Sequence, residues 1–223
     1  MIGRPAPPAT GADEAPADAA PVLPAAPAEP DASASAAASA PPTPPAARPG
    51  PVRPTARWML RHPARLVALG FGCGLSPRAP GTVGTLWAWV SFLLLAPWLD
   101  SAGWALVIVA AWWLGQWACT RTARELGQGD PGAIVWDEVV AFWIVLWVLM
   151  PVGGWAQAAA FALFRFFDAA KPQPVAWADR LFKPRPGEAV TARHGFGILF
   201  DDLVAAGCTL FVCAVAVALW RSF

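Results

Sequence analysis

Asp201-Asp202-Leu203-Val204-Ala205-Ala206-Gly207-Cys208-Thr209-Leu210-Phe211-Val212-Cys213-Ala214-Val215-Ala216-Val217-Ala218-Leu219-Trp220 sets two adjacent carboxylates directly before an uncharged apolar run, Leu203 to Trp220. A membrane-crossing helix needs about 20 apolar residues, within a range of roughly 17–25, so this run is long enough to cross a bilayer. Four apolar segments precede it, at about Thr82–Trp98, Gly103–Cys119, Val139–Met150 and Trp155–Phe167. The first two are also long enough. The last two are short and meet across Pro151-Val152-Gly153-Gly154, as a hairpin that either dips into the bilayer or packs inside a bundle.

Composition points the same way. Of the 223 residues 57% are hydrophobic and 14% charged, against about 25% charged in a soluble domain, and the mean hydropathy is +0.46. All 14 Trp follow residue 57, as suits a ring that settles at lipid–water interfaces. The expected fold is all-α, a multi-helix integral membrane bundle over residues 57–223. A soluble helical bundle is the alternative that the two short segments leave open. Residues 1–56 hold 15 of the 25 prolines, mixed with Ala and Ser. That composition predicts a disordered or polyproline-like tail, and no apolar signal-peptide core precedes residue 57. The net charge of +1 and the lack of a basic run argue against a nucleic-acid partner. Cys73, Cys119, Cys208 and Cys213 form no CxxC pair and read as small apolar residues.

Ten acidic residues follow residue 56, and five of them mark segment ends: Asp137-Glu138 opens the third segment, Asp168 closes the fourth and Asp201-Asp202 opens the last. Carboxylates gathered at one membrane face repel one another unless a positive charge lies between them. A hard divalent cation such as Mg²⁺ answers that need. The basic residues share the same face. Arg57, Arg61, Arg65 and Arg78 precede the first segment, Arg121 and Arg124 follow the second, and Lys171, Arg180, Lys183, Arg185 and Arg193 follow the fourth. The turns around Asp100 and Gly153-Gly154 carry no cation, and Arg221 alone lies beyond the last segment. The positive-inside rule therefore makes the acidic face cytoplasmic.

Other motifs surround these acids. Gly74-Leu75-Ser76-Pro77-Arg78-Ala79-Pro80-Gly81-Thr82-Val83-Gly84-Thr85-Leu86 is a Gly/Pro-rich loop running into a helix. Thr82 and Thr85 are candidate caps, and the positive end of that helix would hold a phosphate. In Phe164-Arg165-Phe166-Phe167-Asp168-Ala169-Ala170-Lys171-Pro172, Arg165 and Asp168 either pair on one helix face or divide into a phosphate-binding cation and a metal ligand. Lys171 is a second phosphate-binding candidate. His194, in the Gly-rich stretch before Asp201-Asp202, is a candidate proton carrier.

Taken in order, these four motifs resemble the phosphatidylglycerophosphatase A family of bacterial lipid phosphatases, over most of residues 70–220. The chain departs from the family pattern at His194 and Ala141, where glycines are expected, and in a longer Phe182–Arg193 stretch. The resemblance implies a Mg²⁺-dependent enzyme of the inner membrane that hydrolyses phosphatidylglycerophosphate to phosphatidylglycerol and phosphate. Asp137, Glu138, Asp168, Asp201 and Asp202 would serve as catalytic metal ligands, with Thr82, Thr85, Arg165 and Lys171 on the substrate phosphate. Two other readings of an acidic membrane chain fit less well. The DGxxAR hallmark of CDP-alcohol phosphotransferases is missing. A divalent-cation transporter would carry its acids near mid-membrane.

Overall fold

The computed structural model describes residues 54–185 and 188–222, and among these every regular element is helical. In chain order they are α1 (Ala56–Met59), α2 (Pro63–Ala68), an irregular 3₁₀ turn at Gly70–Leu75, α3 (Pro80–Leu95) with a short 3₁₀ extension to Trp98, α4 (Ser101–Leu126), α5 (Trp136–Leu149), α6 (Gly154–Ala170), α7 (Val175–Phe182) and α8 (Ala192–Ser222). The tail expected over residues 1–56 lies outside the described residues as far as residue 53.

Pro80–Trp98, Ser101–Leu126 and Ala192–Ser222 are long and apolar enough to cross a membrane. Their outward faces carry Val90, Leu93, Leu94, Leu106, Val109, Phe211, Val217 and Leu219, all exposed. A soluble bundle would bury such a surface, so the apolar exterior decides against that alternative.

The third segment is short because it is the core. α5 spans about 21 Å at 1.5 Å per residue, less than the ~30 Å hydrocarbon layer, and it packs against α3, α4, α6 and α8. Val139, Val140, Phe142, Val145 and Leu146 are fully buried around it. Its indole N–H groups find backbone partners inside the bundle: Trp136 Nε1 donates to the Ala111 carbonyl at 3.0 Å and Trp143 Nε1 to the Ala88 carbonyl at 3.0 Å. Of the two expectations for the hairpin, packing inside the bundle is the one that holds for α5.

Two expectations are corrected. Thr82 and Thr85 do not cap α3, because the helix begins earlier, at Pro80. Its cap residue is Ala79, in the left-handed region at φ +47°, and makes no side-chain cap bond. Thr85 donates instead to the Gly81 carbonyl within the helix, at 2.9 Å. Asp201-Asp202 does not open the last helix either, since α8 starts at Ala192 and is continuous through both aspartates. Gly195 and Gly197 look like loop residues in sequence but are helical, because α4 and α7 press onto them. A Cβ on Gly195 would lie 1.8 Å from Thr120 Oγ1, and one on Gly197 would lie 2.3 Å from Phe182 Cβ.

Candidate active site

Asp137 and Glu138 occupy the first turn of α5, and Asp202 reaches them from α8. Each offers one carboxylate oxygen, and the three oxygens lie within 4.8 Å of one another. Asp137 Oδ1, Glu138 Oε2 and Asp202 Oδ2 are buried without a hydrogen-bond partner among the described residues. Three acids in that position are unfavourable as they stand, because burial withdraws water and each charge opposes the others. Burial, reinforced by the charges of neighbouring acids, holds the Asp137 carboxyl well above the ordinary carboxylate range. It pushes Glu138 up to about 7, against the pull of Arg165. An all-oxygen donor set with unpartnered buried atoms fits a hard divalent cation, which would take the place of the missing partners.

Arg165 of α6 ties the rest of the site to this triad. Its Nη1 pairs with Asp168 and lies 3.7 Å from Glu138 Oε1 and 3.5 Å from Thr85 Oγ1, while its buried Nε has no partner among the described residues. Asp168 lies beside Glu138 and Asp202. The start of α3 closes one side. A Cβ on Gly81 would come within 2.1 Å of Glu138 Oε1 and 3.1 Å of both terminal nitrogens of Arg165. Only glycine allows the backbone so close, and it brings the start of α3, whose first N–H groups have no partner within the helix, to the edge of the triad. The sequence-predicted residues Asp137, Glu138, Asp168, Asp202, Arg165 and Thr85 are thus gathered in one place, and Thr82 follows Gly81 in the adjoining first turn of α3.

Asp201 and Lys171 stand apart. Lys171 Nζ donates to Asp201 Oδ2 at 2.6 Å and to Asp179 Oδ1 at 2.5 Å, and Lys183 Nζ lies 2.5 Å from Asp179 Oδ2. Burial works against the Lys171 ammonium, but Asp201 and Asp179 outweigh it and hold its pKa above the ordinary lysine value. Burial would likewise raise Asp179, and the two lysines more than reverse this, so its carboxyl lies below the ordinary value. Asp179 is a residue that sequence reasoning did not single out; its spacing of four from Lys183 was the available signal. His194 is buried in the first turn of α8, where Nδ1 accepts from the Thr191 N–H at 2.9 Å. It borders the cavity that contains Asp201 and Asp179 and is not a member of the triad. All four cysteines are free.

The family model for Phosphatidylglycerophosphatase A matches residues 66–217. A Phosphatidylglycerophosphatase A of Escherichia coli is 38% identical over 162 residues, which covers 70% of this chain and 87% of that protein. A protein of the same name from Haemophilus influenzae is 37% identical over 153 residues, covering 69% and 88%. A Bacteroides thetaiotaomicron protein, provisionally named phosphatidylinositol-3-phosphatase, is 36% identical over 159 residues, covering 68% and 91%. No solved structure matches the chain at a significant level.

Proposed function

The chain belongs to the phosphatidylglycerophosphatase A family, and we propose that it removes the terminal phosphate of phosphatidylglycerophosphate, with Mg²⁺ held by Asp137, Glu138 and Asp202. The observation that carries this reading is the convergence of three buried, unpartnered carboxylate oxygens with Arg165 and the open start of α3. A bound Mg²⁺ would neutralise phosphate charge and polarise the attacking water.

The protein's own groups supply the rest. Arg165, with its unpartnered Nε, and the N–H groups of Gly81 and Thr82 bind and orient phosphate oxygens. Thr85 steadies the Arg165 guanidinium. Asp168 borders the triad without belonging to it, which suits it to take the proton from the attacking water. The water oxygen joins phosphorus as Asp168 takes its proton, the bond from phosphorus to the glycerol oxygen breaks, and that oxygen leaves as the alcohol with the proton that Asp168 returns. Leu86, Val90, Leu93 and Leu94, exposed along α3, offer the acyl chains an apolar flank below the site. The basic residues that flank the membrane helices on the triad's side support a cytoplasmic face in a bacterial inner membrane, by the positive-inside rule.

The activity is assigned to residues 57–223, so a chain beginning at residue 54 should keep it. Phosphate release from phosphatidylglycerophosphate in detergent micelles tests the assignment, with Mg²⁺, with EDTA and with Asp202→Asn. Release that requires the cation and falls at least a hundredfold in the variant is expected. A folded, Mg²⁺-supplied protein that cleaves phosphatidylinositol 3-phosphate but not phosphatidylglycerophosphate would move the substrate to the alternative lipid.

A further inference from the structure

Adjacent positions on an α-helix point about 100° apart, so Asp201 and Asp202 do not face the same way. Asp202 faces Asp137 and Glu138; Asp201 faces Lys171. Whatever holds Asp201 therefore acts on the rotation of α8 that delivers Asp202, alongside the packing of α4, α5 and α6 on the same helix. The hold is made from three elements. Lys171 sits at the end of α6 in the left-handed region, at φ +45°, a conformation that a side-chain-bearing residue keeps only where other contacts compensate. Its ammonium spans from Asp201 on α8 to Asp179 on α7. Asp179 is fully engaged, one oxygen on Lys171 and the other on Lys183, and its side chain is 9% exposed. Asp179 and Asp201 each have a lysine within hydrogen-bond distance, with Asp130 lining the same cavity, whereas the triad oxygens have no such partner among the described residues.

We propose that Asp179 is a positioning residue that acts through Lys171 to hold Asp201 away from the carboxylate triad and so turn Asp202 into it. On this assignment Lys171 is a fixed strut rather than a phosphate donor, and Asp201 is not a metal ligand. The assignment rests on the metal reading above, and the test separates the two.

The full chain in detergent is titrated with Mn²⁺ and free Mn²⁺ is read by electron paramagnetic resonance, for wild type, Asp179→Asn, Asp179→Glu, Lys171→Ala and Lys183→Ala. Melting without metal reports folding. Kinetics on lipid micelles separate kcat from KM. Groups bonded directly to metal ligands change affinity by about 10–100-fold; Asp179 and Lys171 act one step further out, so Asp179→Asn and Lys171→Ala should each weaken Mn²⁺ binding by about the lower end of that range, with the lipid KM nearly unchanged. Asp179→Glu should recover most of the affinity. Lys183→Ala, which removes an ion pair from the same helix without touching Lys171, should bind like wild type. The proposal is overturned if Asp179→Asn binds Mn²⁺ normally and raises KM, which would return Lys171 to the phosphate. It is also overturned if Lys183→Ala costs as much as Asp179→Asn, which would reduce the effect to general packing of α7. Should Asp179→Asn not fold, Lys171→Ala and the Asp179→Glu recovery decide. A wild-type protein that binds no Mn²⁺ removes the metal reading and this proposal together, an outcome distinct from a wild type that binds and a variant that does so equally well.

Discussion

A single hydrogen atom in place of a methyl group defines one wall of the site. Gly81 leaves no room for a Cβ beside Glu138 and Arg165, so Gly81→Ala should push the start of α3 away from the triad. Overpacking costs about 1–3 kcal/mol in stability, which a bundle of this size should survive, whereas the phosphate cradle proposed there depends on that close approach. The expected result is a folded protein with kcat reduced at least tenfold; near-normal turnover would show that the α3 backbone does not touch substrate. Glu138 supports a second prediction. Its carboxyl titrates near 7 in the folded chain, against an ordinary value of 4.5. Between those values the metal-free folded state binds more protons than the unfolded state, so stability must fall as pH rises through the window. Asp137 is shifted the same way. Melting in EDTA should therefore occur at lower temperature at pH 8 than at pH 5.5, and a divalent cation added at pH 8 should reverse the loss, because it binds the ionised carboxylates that the folded state brings together. A melting temperature that climbs across the window in EDTA would count against the buried-triad geometry. At this scale the sequence exposed Asp137, Glu138 and Asp202 by their places beside apolar runs. It could not separate Asp201 from Asp202, or tie Asp179 to the site beyond its spacing from Lys183, because ion pairs between α6, α7 and α8 carry no local signature.

The long apolar runs made α3, α4 and α8 legible, since length and hydropathy alone set a membrane helix. The start of α8 was not legible, because two glycines and a histidine precede Asp201. Glycine disfavours a helix interior by about 1 kcal/mol relative to Ala, and reading the sequence alone gives that penalty full weight. The structure shows what overrides it: α4 lies so close to α8 that Gly195 meets Thr120 Oγ1 directly. Gly195→Val should accordingly lower stability by about 1–3 kcal/mol through overpacking. Thr120→Ala, which removes the colliding oxygen, should recover part of the loss in the double variant. Thermal unfolding of the four proteins in detergent closes this cycle. Simple additivity of the two changes would mean that α4 and α8 do not meet at this point. α7 escaped notice for a different reason: an eight-residue helix between two Pro-containing turns is too short for apolar periodicity to stand out.

Across the whole molecule, the long helices share one polarity of chemistry. The carboxylate triad, Arg165 and nearly all the basic residues after residue 56 gather at one end, while Trp98, Asp100 and the Gly153-Gly154 turn lie at the other. Asp100 does not belong to the site; it caps α4 by accepting from the Gly103 N–H at 2.7 Å. Moving arginines and lysines across a bilayer is costly, so this asymmetry predicts that the site end stays on the side of synthesis. Two exposed positions report the orientation. Arg78 lies in the loop that enters α3 on the site side, and Trp98, 84% exposed, lies at the far end of the same span. Each is replaced by Cys in a chain whose four native cysteines are changed to Ala or Ser, and intact spheroplasts are treated with a membrane-impermeant maleimide. Trp98→Cys should label directly, and Arg78→Cys only after the membrane is opened. The reverse pattern would turn the triad outward, and the enzyme would then meet only lipid carried across the bilayer. Labelling of both positions in intact spheroplasts would mean that α3 does not cross at all, and the exposed leucines along its flank would need another cover than lipid.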